Sequence, residues 1–210
     1  EDCTHDSWVV IKDGRLKKGV IDENSLGEKK GKLINAVERF GPEVARKFID
    51  RVSRLALEYV SRYGFSISIA EVDITERARK RIKEMLAECE SKARHSIRDF
   101  EGGKISKLPG LTPRDVLEGA IQRLGSETSK SASEVIREDL PFNNAVLMAR
   151  TGARGSYVNL TQMCAFVGQE ALEGERIHRG YTGRTLPHFS RDDLGLKARG
   201  FVDHSYKEGL

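Results

Sequence analysis

The chain has 210 residues and a formal net charge of +4, with 32% charged and 38% hydrophobic residues. That length accommodates one or two domains with a sizeable core, and no apolar run approaches the length needed to span a bilayer. Three widely spaced cysteines, Cys3, Cys89 and Cys164, argue against a disulfide framework or a zinc knuckle and suit a reduced cytoplasmic protein.

Taken in order, Trp8–Ile11 and Leu16–Ile21 flank Asp13-Gly14. Asp-Gly between apolar runs predicts a small β-hairpin. The polar stretch from Asn24 to Gly31 reads as a loop. Leu33, Ile34, Val37 and Phe40 follow at helical spacing. Gly41-Pro42 breaks that helix and opens a second one, with Pro42 in its first turn. Its stripe of Val44, Phe48, Val52, Leu55 and Tyr59 reads as core, and Gly64 ends it. Phe65–Ile69 alternates with period two and reads as a short strand.

From Thr75 to Phe100 the sequence predicts the longest helix of the chain. Ile74, Ala78, Ile82, Met85, Cys89, Ala93, Ile97 and Phe100 trace a narrow apolar seam suited to one partner helix. Gly102-Gly103 stops it. Thr112 as N-cap and Pro113 in the first helical position start the partner, which carries Val116, Leu117, Ala120, Ile121 and Leu124 and continues to Asp139. The expected product is a long antiparallel helical hairpin projecting from the rest. The fold class is therefore mainly α with a small β-hairpin.

The stretch from Asn143 to Phe189 carries the chemistry. At its centre Gly152 and Gly155 flank Ala153 and Arg154. Glycine lets the backbone turn where a side chain would clash, and an arginine on such a turn can offer its planar fork to phosphate oxygens. Taken alone, an arginine in such a turn is more often a solvated loop residue. Ser156 is placed to cap the next helix. Asp192-Asp193 is the one adjacent aspartate pair and reads as a helix cap. His188 reads as a packed turn residue, and His178, His188 and His204 lack a metal-ligand spacing. Cys3 with His5 would be at most half a metal site.

A series of ordered words runs through this stretch: Asn143-Asn144, Gly152–Ser156 (GARGS), Asn159–Met163 (NLTQM), Val167–Gln169 (VGQ), Glu173–Ile177 (EGERI), Arg184–Phe189 (RTLPHF), and Gly200–Val202 with Ser205-Tyr206. With these words the chain resembles the largest subunit of archaeal and eukaryotic multisubunit DNA-directed RNA polymerases, strongly over its last third and more loosely elsewhere. The resemblance implies three parts. Residues 1–74 correspond to the end of the pore region. Residues 75–141 correspond to the funnel hairpin of the secondary channel, through which nucleoside triphosphates arrive and at whose mouth a transcript-cleavage factor docks. Residues 142–210 correspond to the segment near the active centre that leads into the bridge helix, with Gly200–Leu210 at the start of that helix.

The implied partners are the other polymerase subunits, nucleoside triphosphates, DNA template and RNA, with no membrane, and the implied location is the cytoplasm. The implied chemistry is nucleotidyl transfer with magnesium. The family's metal-binding loop, Asn-Ala-Asp-Phe-Asp-Gly-Asp, is absent from this sequence, so catalytic and metal-ligating residues are expected outside the chain and the chain alone should be inactive. Arg154 matches the basic residue that contacts the incoming triphosphate. Asn159, Gln162, Gln169 and Arg176 are channel-lining candidates on neighbouring words. Glu170 stands where the eukaryotic form commonly has a second glutamine. The sequence suggests a piece of a longer protein. The alternative is a free-standing helical module that binds nucleic acid or a protein, and an upstream reading frame encoding the aspartate-rich loop would decide between them.

Overall fold

A computed structural model describes residues 9–27, 31–105 and 109–209. Cys3, His5 and Trp8 lie outside them. The described residues fall into two compact units, one within Glu1–Ile67 plus Leu147–Ser156 and the other within Ser68–Val146 plus Tyr157–Leu210.

The first unit opens with the expected hairpin. Strands β1 (Val10–Lys12) and β2 (Arg15–Lys18) pair antiparallel. Asp13 and Gly14 both take positive φ, 53° and 73°, which is the backbone that a two-residue turn between twisted strands demands. The segment read as a loop instead contains a single helical turn, α1 (Glu23–Leu26). Asp22 explains it: its carboxylate accepts from the amides of Asn24 and Ser25 at 2.9 and 3.2 Å, so three polar residues that suit a loop also suit a capped turn.

Helix α2 (Lys32–Glu38) and helix α3 (Pro42–Tyr63) follow, the latter with proline at its start and Gly64 at its end. The α3 stripe is not core within the described residues. Leu55 is 71% exposed, Tyr59 59% and Val44 47%, and Ala45 is the one buried residue of the helix. Periodicity specifies a face that favours an apolar partner, and the described residues of this unit do not supply one along the stripe.

Phe65–Ile69, where the first unit gives way to the second in sequence, forms no strand. Phe65 to Ser68 are irregular, and Ile69–Val72 is a 3-10 turn held by a capping box between Ser68 and Glu71. Period two without a partner strand leaves the ladder unmade, and the Ser68 cap takes the backbone instead.

Helix α4 (Glu76–Glu101) and helix α5 (Pro113–Asp139) form the hairpin. They run antiparallel: Thr75, the cap of α4, donates from its amide and hydroxyl to the Asp139 carboxylate at the far end of α5, at 2.8 and 2.6 Å. Small seam residues allow close packing. Ala78, Ile82, Cys89 and Ala93 are buried on α4, facing a helix whose Leu117, Ile121, Ala132, Val135 and Ile136 are buried in turn. Thr112 and Asp115 complete a capping box at the start of α5. At 27 residues α5 exceeds α4 by one, so the longest helix is the second arm; its polar stretch continues helical because Val135 and Ile136 anchor it. The hairpin does not stand alone, since α5 also packs on α7 (Tyr157–Cys164), which follows α6 (Asn144–Thr151), and on two short strands described below.

The remaining chain adds two small antiparallel pairs that the sequence did not signal. Strand β3 (Gly168–Gln169) pairs with β6 (Phe201–Val202), and β4 (Ala171–Leu172) with β5 (Glu175–Arg176) through a Glu173-Gly174 turn of positive φ. The stretch from Gly200 is thus strand and turn, not the beginning of a helix, because the amide of Glu170 donates to the Gly200 carbonyl and extends the pairing. Among the described residues, no helix is long and apolar enough to cross a membrane.

Candidate functional site

Arg154 lies in the first unit on the turn that closes α6. The amide of Ala153 donates to the Met148 carbonyl at 3.1 Å, and the Thr151 hydroxyl donates to the Leu147 carbonyl at 2.8 Å. Gly152 and Gly155 both sit at φ +72°, the left-handed region that L side chains rarely enter. Gly152 has a second constraint: a Cβ there would stand 2.2 Å from a carboxylate oxygen of Glu23, on α1. The turn thus needs both glycines, and it leaves Arg154 exposed.

The other four candidates lie in the second unit. Asn159 is exposed on α7. Gln162, half-buried on the same helix, donates from Nε2 to the Val167 carbonyl at 3.4 Å, and its own carbonyl accepts from the Tyr206 amide. Gln169 is the better anchored. Its Nε2 donates to the carbonyls of Glu170 and Arg199, both at 2.8 Å, while its Oε1 is buried and without a protein partner. Two close approaches fix its backbone. Gly168, at φ +93°, brings the chain to within 2.8 Å of the Ser129 hydroxyl measured from a hypothetical Cβ, and Gly125 in mid-α5 leaves 3.3 Å to the Gln169 Cβ. Val167 links the two glutamines along the chain, since its carbonyl accepts from Gln162 and Gln169 lies two residues on.

Arg176 is turned inward. Its side chain has 0% exposure and meets Glu118 of α5 at 3.3 Å, while one terminal nitrogen donates to the Leu194 and Gly195 carbonyls at 3.0 and 2.6 Å. Arg199, 2% exposed, meets the other oxygen of the same carboxylate at 3.1 Å and donates from Nε to the Asp193 carbonyl at 2.9 Å. Burial pushes the Arg176 guanidinium down to about 10, with Glu118 opposing the shift, so it remains a cation at neutral pH. Glu118 and Arg199 were not singled out from sequence. The available signal was an acid inside an apolar run, between Leu117 and Ile121.

The Asp192-Asp193 pair and His188 both depart from their expected roles. Asp193 caps no helix: its carboxylate accepts from the Gly195 amide at 2.8 Å, a tight local turn, because the short 3-10 turn that follows (Lys197–Arg199) begins four residues later. His188 is exposed, its ring resting against Phe189 at 4.1 Å between centroids, so it is not packed inside. Among the described residues, no three His, Cys, Asp or Glu side chains are grouped to hold a metal ion, and the Asp193 carboxylate accepts from the Gly195 amide.

Cys164 closes α7, with its thiol donating to the Leu160 carbonyl at 2.6 Å, and burial pushes it up to about 12. Burial also raises Cys89. At pH 8 roughly one Cys164 in ten thousand would be thiolate. Both residues are therefore expected to resist iodoacetamide in the folded chain and to label fully in urea; mass spectrometry of tryptic peptides reads this, and rapid native labelling of Cys164 would contradict its burial.

Comparison with known proteins gives the class. Residues 97–202 match the family model described as RNA polymerase Rpb1, domain 4, and residues 1–72 match RNA polymerase Rpb1, domain 3. The chain belongs to the Rpb1 family, the largest subunits of DNA-directed RNA polymerase. More particularly, it is similar to DNA-directed RNA polymerase subunit Rpo1N of archaea: 44% identical over 212 residues to that of Methanocaldococcus jannaschii, 42% over 212 residues to that of Methanothermobacter thermautotrophicus, and 39% over 208 residues to that of Thermococcus celer. These alignments cover 98–100% of this chain and 16%, 24% and 23% of the respective relatives.

Proposed function

We propose that this part of an RNA polymerase largest subunit lines the path of nucleoside triphosphates to the active centre, with Arg154 as the triphosphate contact. One observation carries the reading: Arg154 is exposed on a turn whose two flanking glycines both require left-handed backbone. In the assembled cytoplasmic enzyme, a magnesium-dependent nucleotidyltransferase acting on DNA template and RNA, the metal ligands lie outside this chain. Residues 1–74, 75–141 and 142–210 serve as pore, funnel and active-centre-proximal segments, and the α4–α5 hairpin offers the docking site for a transcript-cleavage factor. Asn159, Gln162 and Gln169 line the channel, and Arg176, whose side chain is buried against Glu118, supports that segment from the interior.

The chain's own contribution to the reaction is binding and orientation. A guanidinium donating to phosphate oxygens contributes roughly 1.5–3 kcal/mol, so Arg154→Ala in the assembled polymerase should lower kcat/KM for nucleotides about ten- to a hundredfold. A fall in kcat marks a contact that orients the phosphates for attack, and a rise in KM alone marks uniform binding. Arg154→Lys should recover part of the loss, since a point charge still meets phosphate without the bidentate fork. Purified residues 1–210 should not extend a primer. Elongation rates against nucleotide concentration decide the matter: an Arg154→Ala enzyme of verified fold with wild-type KM and kcat would remove the substrate role.

A further inference from the structure

We infer that Glu118 is a positioning residue for Gln169, by which the α4–α5 hairpin sets the geometry of the segment near the active centre. The inference rests on the proposed reading only in taking Gln169 to face the nucleotide path.

The connection is short and continuous. The two oxygens of one carboxylate, Glu118 on α5, hold Arg199 at 3.1 Å and Arg176 at 3.3 Å. Arg199 then presents its backbone carbonyl to the Gln169 Nε2 at 2.8 Å. One residue on, the Gly200 carbonyl accepts from the Glu170 amide at 2.9 Å. One helical turn along α5 from Glu118, Gln122 donates to the Gly174 carbonyl at 2.8 Å, tethering the β4–β5 turn to the same face. Gly125, a further turn on, lets the helix backbone approach the Gln169 Cβ. Three positions of α5, 118, 122 and 125, therefore reach β5, the β4–β5 turn and β3.

The amide of Gln169 has a forced orientation. Both carbonyls at its Nε2 accept, so a flipped amide would set oxygen against oxygen; its Oε1 is left buried with no protein donor. The position of the Arg199 carbonyl thus decides where that oxygen points, and the Arg199 side chain, held between Glu118 and the Asp193 carbonyl, decides where the carbonyl sits. Rigid supporting shells of this kind transmit sub-ångström displacements into reaction geometry.

A Glu118 that merely braces the fold would lower stability and leave the enzyme per folded molecule unchanged. The two roles separate in a double-mutant cycle on the assembled polymerase. Glu118→Gln removes the charge and is liable to unfold the unit, so Glu118→Asp, which keeps the charge and withdraws it by one methylene, is the main variant. Glu118→Asp is expected to lower kcat/KM for nucleotides about three- to thirtyfold. Combined with Gln169→Ala it should cost little beyond Gln169→Ala alone, whereas Ile136→Val, a packing change at another position of α5, should multiply with Gln169→Ala. The inference is overturned if Glu118→Asp and Gln169→Ala multiply, if Glu118→Asp elongates like wild type below KM, or if Gln169→Ala has no kinetic effect. The Arg154→Ala experiment is independent of this cycle: its failure would remove the triphosphate contact and leave the Glu118–Gln169 coupling to stand or fall alone.

Discussion

Replacing Glu118 with leucine should destabilise the second unit by about 3–5 kcal/mol, because it leaves two buried cations without their shared anion. Arg176 and Arg199 have side-chain exposures of 0% and 2%, and both point at the same carboxylate. The carbonyls of Asp193, Leu194 and Gly195 satisfy some of their donors but carry no full charge. A guanidinium also cannot escape by losing its proton near neutral pH. Its desolvation therefore falls undiminished on the folded state. The counter-experiment uses the same physics. Adding Arg176→Met and Arg199→Met to Glu118→Leu removes every member of the ionic cluster, and such replacements by apolar groups of similar size are often neutral. Most of the lost stability should return in the triple variant, although the Glu118–Gln169 coupling should not. Urea unfolding followed by hydrogen exchange at α5 amides measures both variants. A cost below about 1 kcal/mol for Glu118→Leu would mean that the two guanidiniums keep water in the folded protein.

What the sequence made legible was local. The α4 and α5 boundaries follow from Thr75, Gly102, Thr112 and Pro113, because a cap or a breaker acts through its own few neighbours. The Asp13-Gly14 turn is readable for the same reason. The Arg154 turn was legible in its glycines, but not in Glu23, which crowds Gly152 from another part of the chain. The β3–β6 pair was illegible because each strand has two residues, too few for any period to show. Burial misled in α3. Leu55 and Tyr59 repeat with the stripe yet are more than half exposed, since a period reports which face favours burial and not what covers it. Glu118 was hidden for the opposite reason: as an acid it reads as solvated, and only the fold shows two arginines arriving from residues 176 and 199.

Phe166→Ala should cost about 3–5 kcal/mol, the range for removing a large buried aromatic side chain whose site collapses incompletely. Phe166 is 1% exposed and its ring lies 5.9 Å from that of Phe201, tilted by 34°, a pairing that adds to area burial. It is also the ring nearest Gly168, at 3.7 Å from a hypothetical Cβ there. The cavity would therefore open directly beneath β3 and β6. Two effects follow at different places. Global stability falls, and the amide of Glu170, which donates to the Gly200 carbonyl, should exchange faster than the loss of global stability alone requires, since β3 and β6 lose their common support. Phe166→Leu fills most of the volume and should cost less than Phe166→Ala. If exchange at Glu170 rises only in step with global unfolding, Phe166 serves the whole unit rather than the Gln169 strand, and the local packing argument fails. If instead Glu170 opens selectively, the same ring that closes the core also holds the strand from which Gln169 projects.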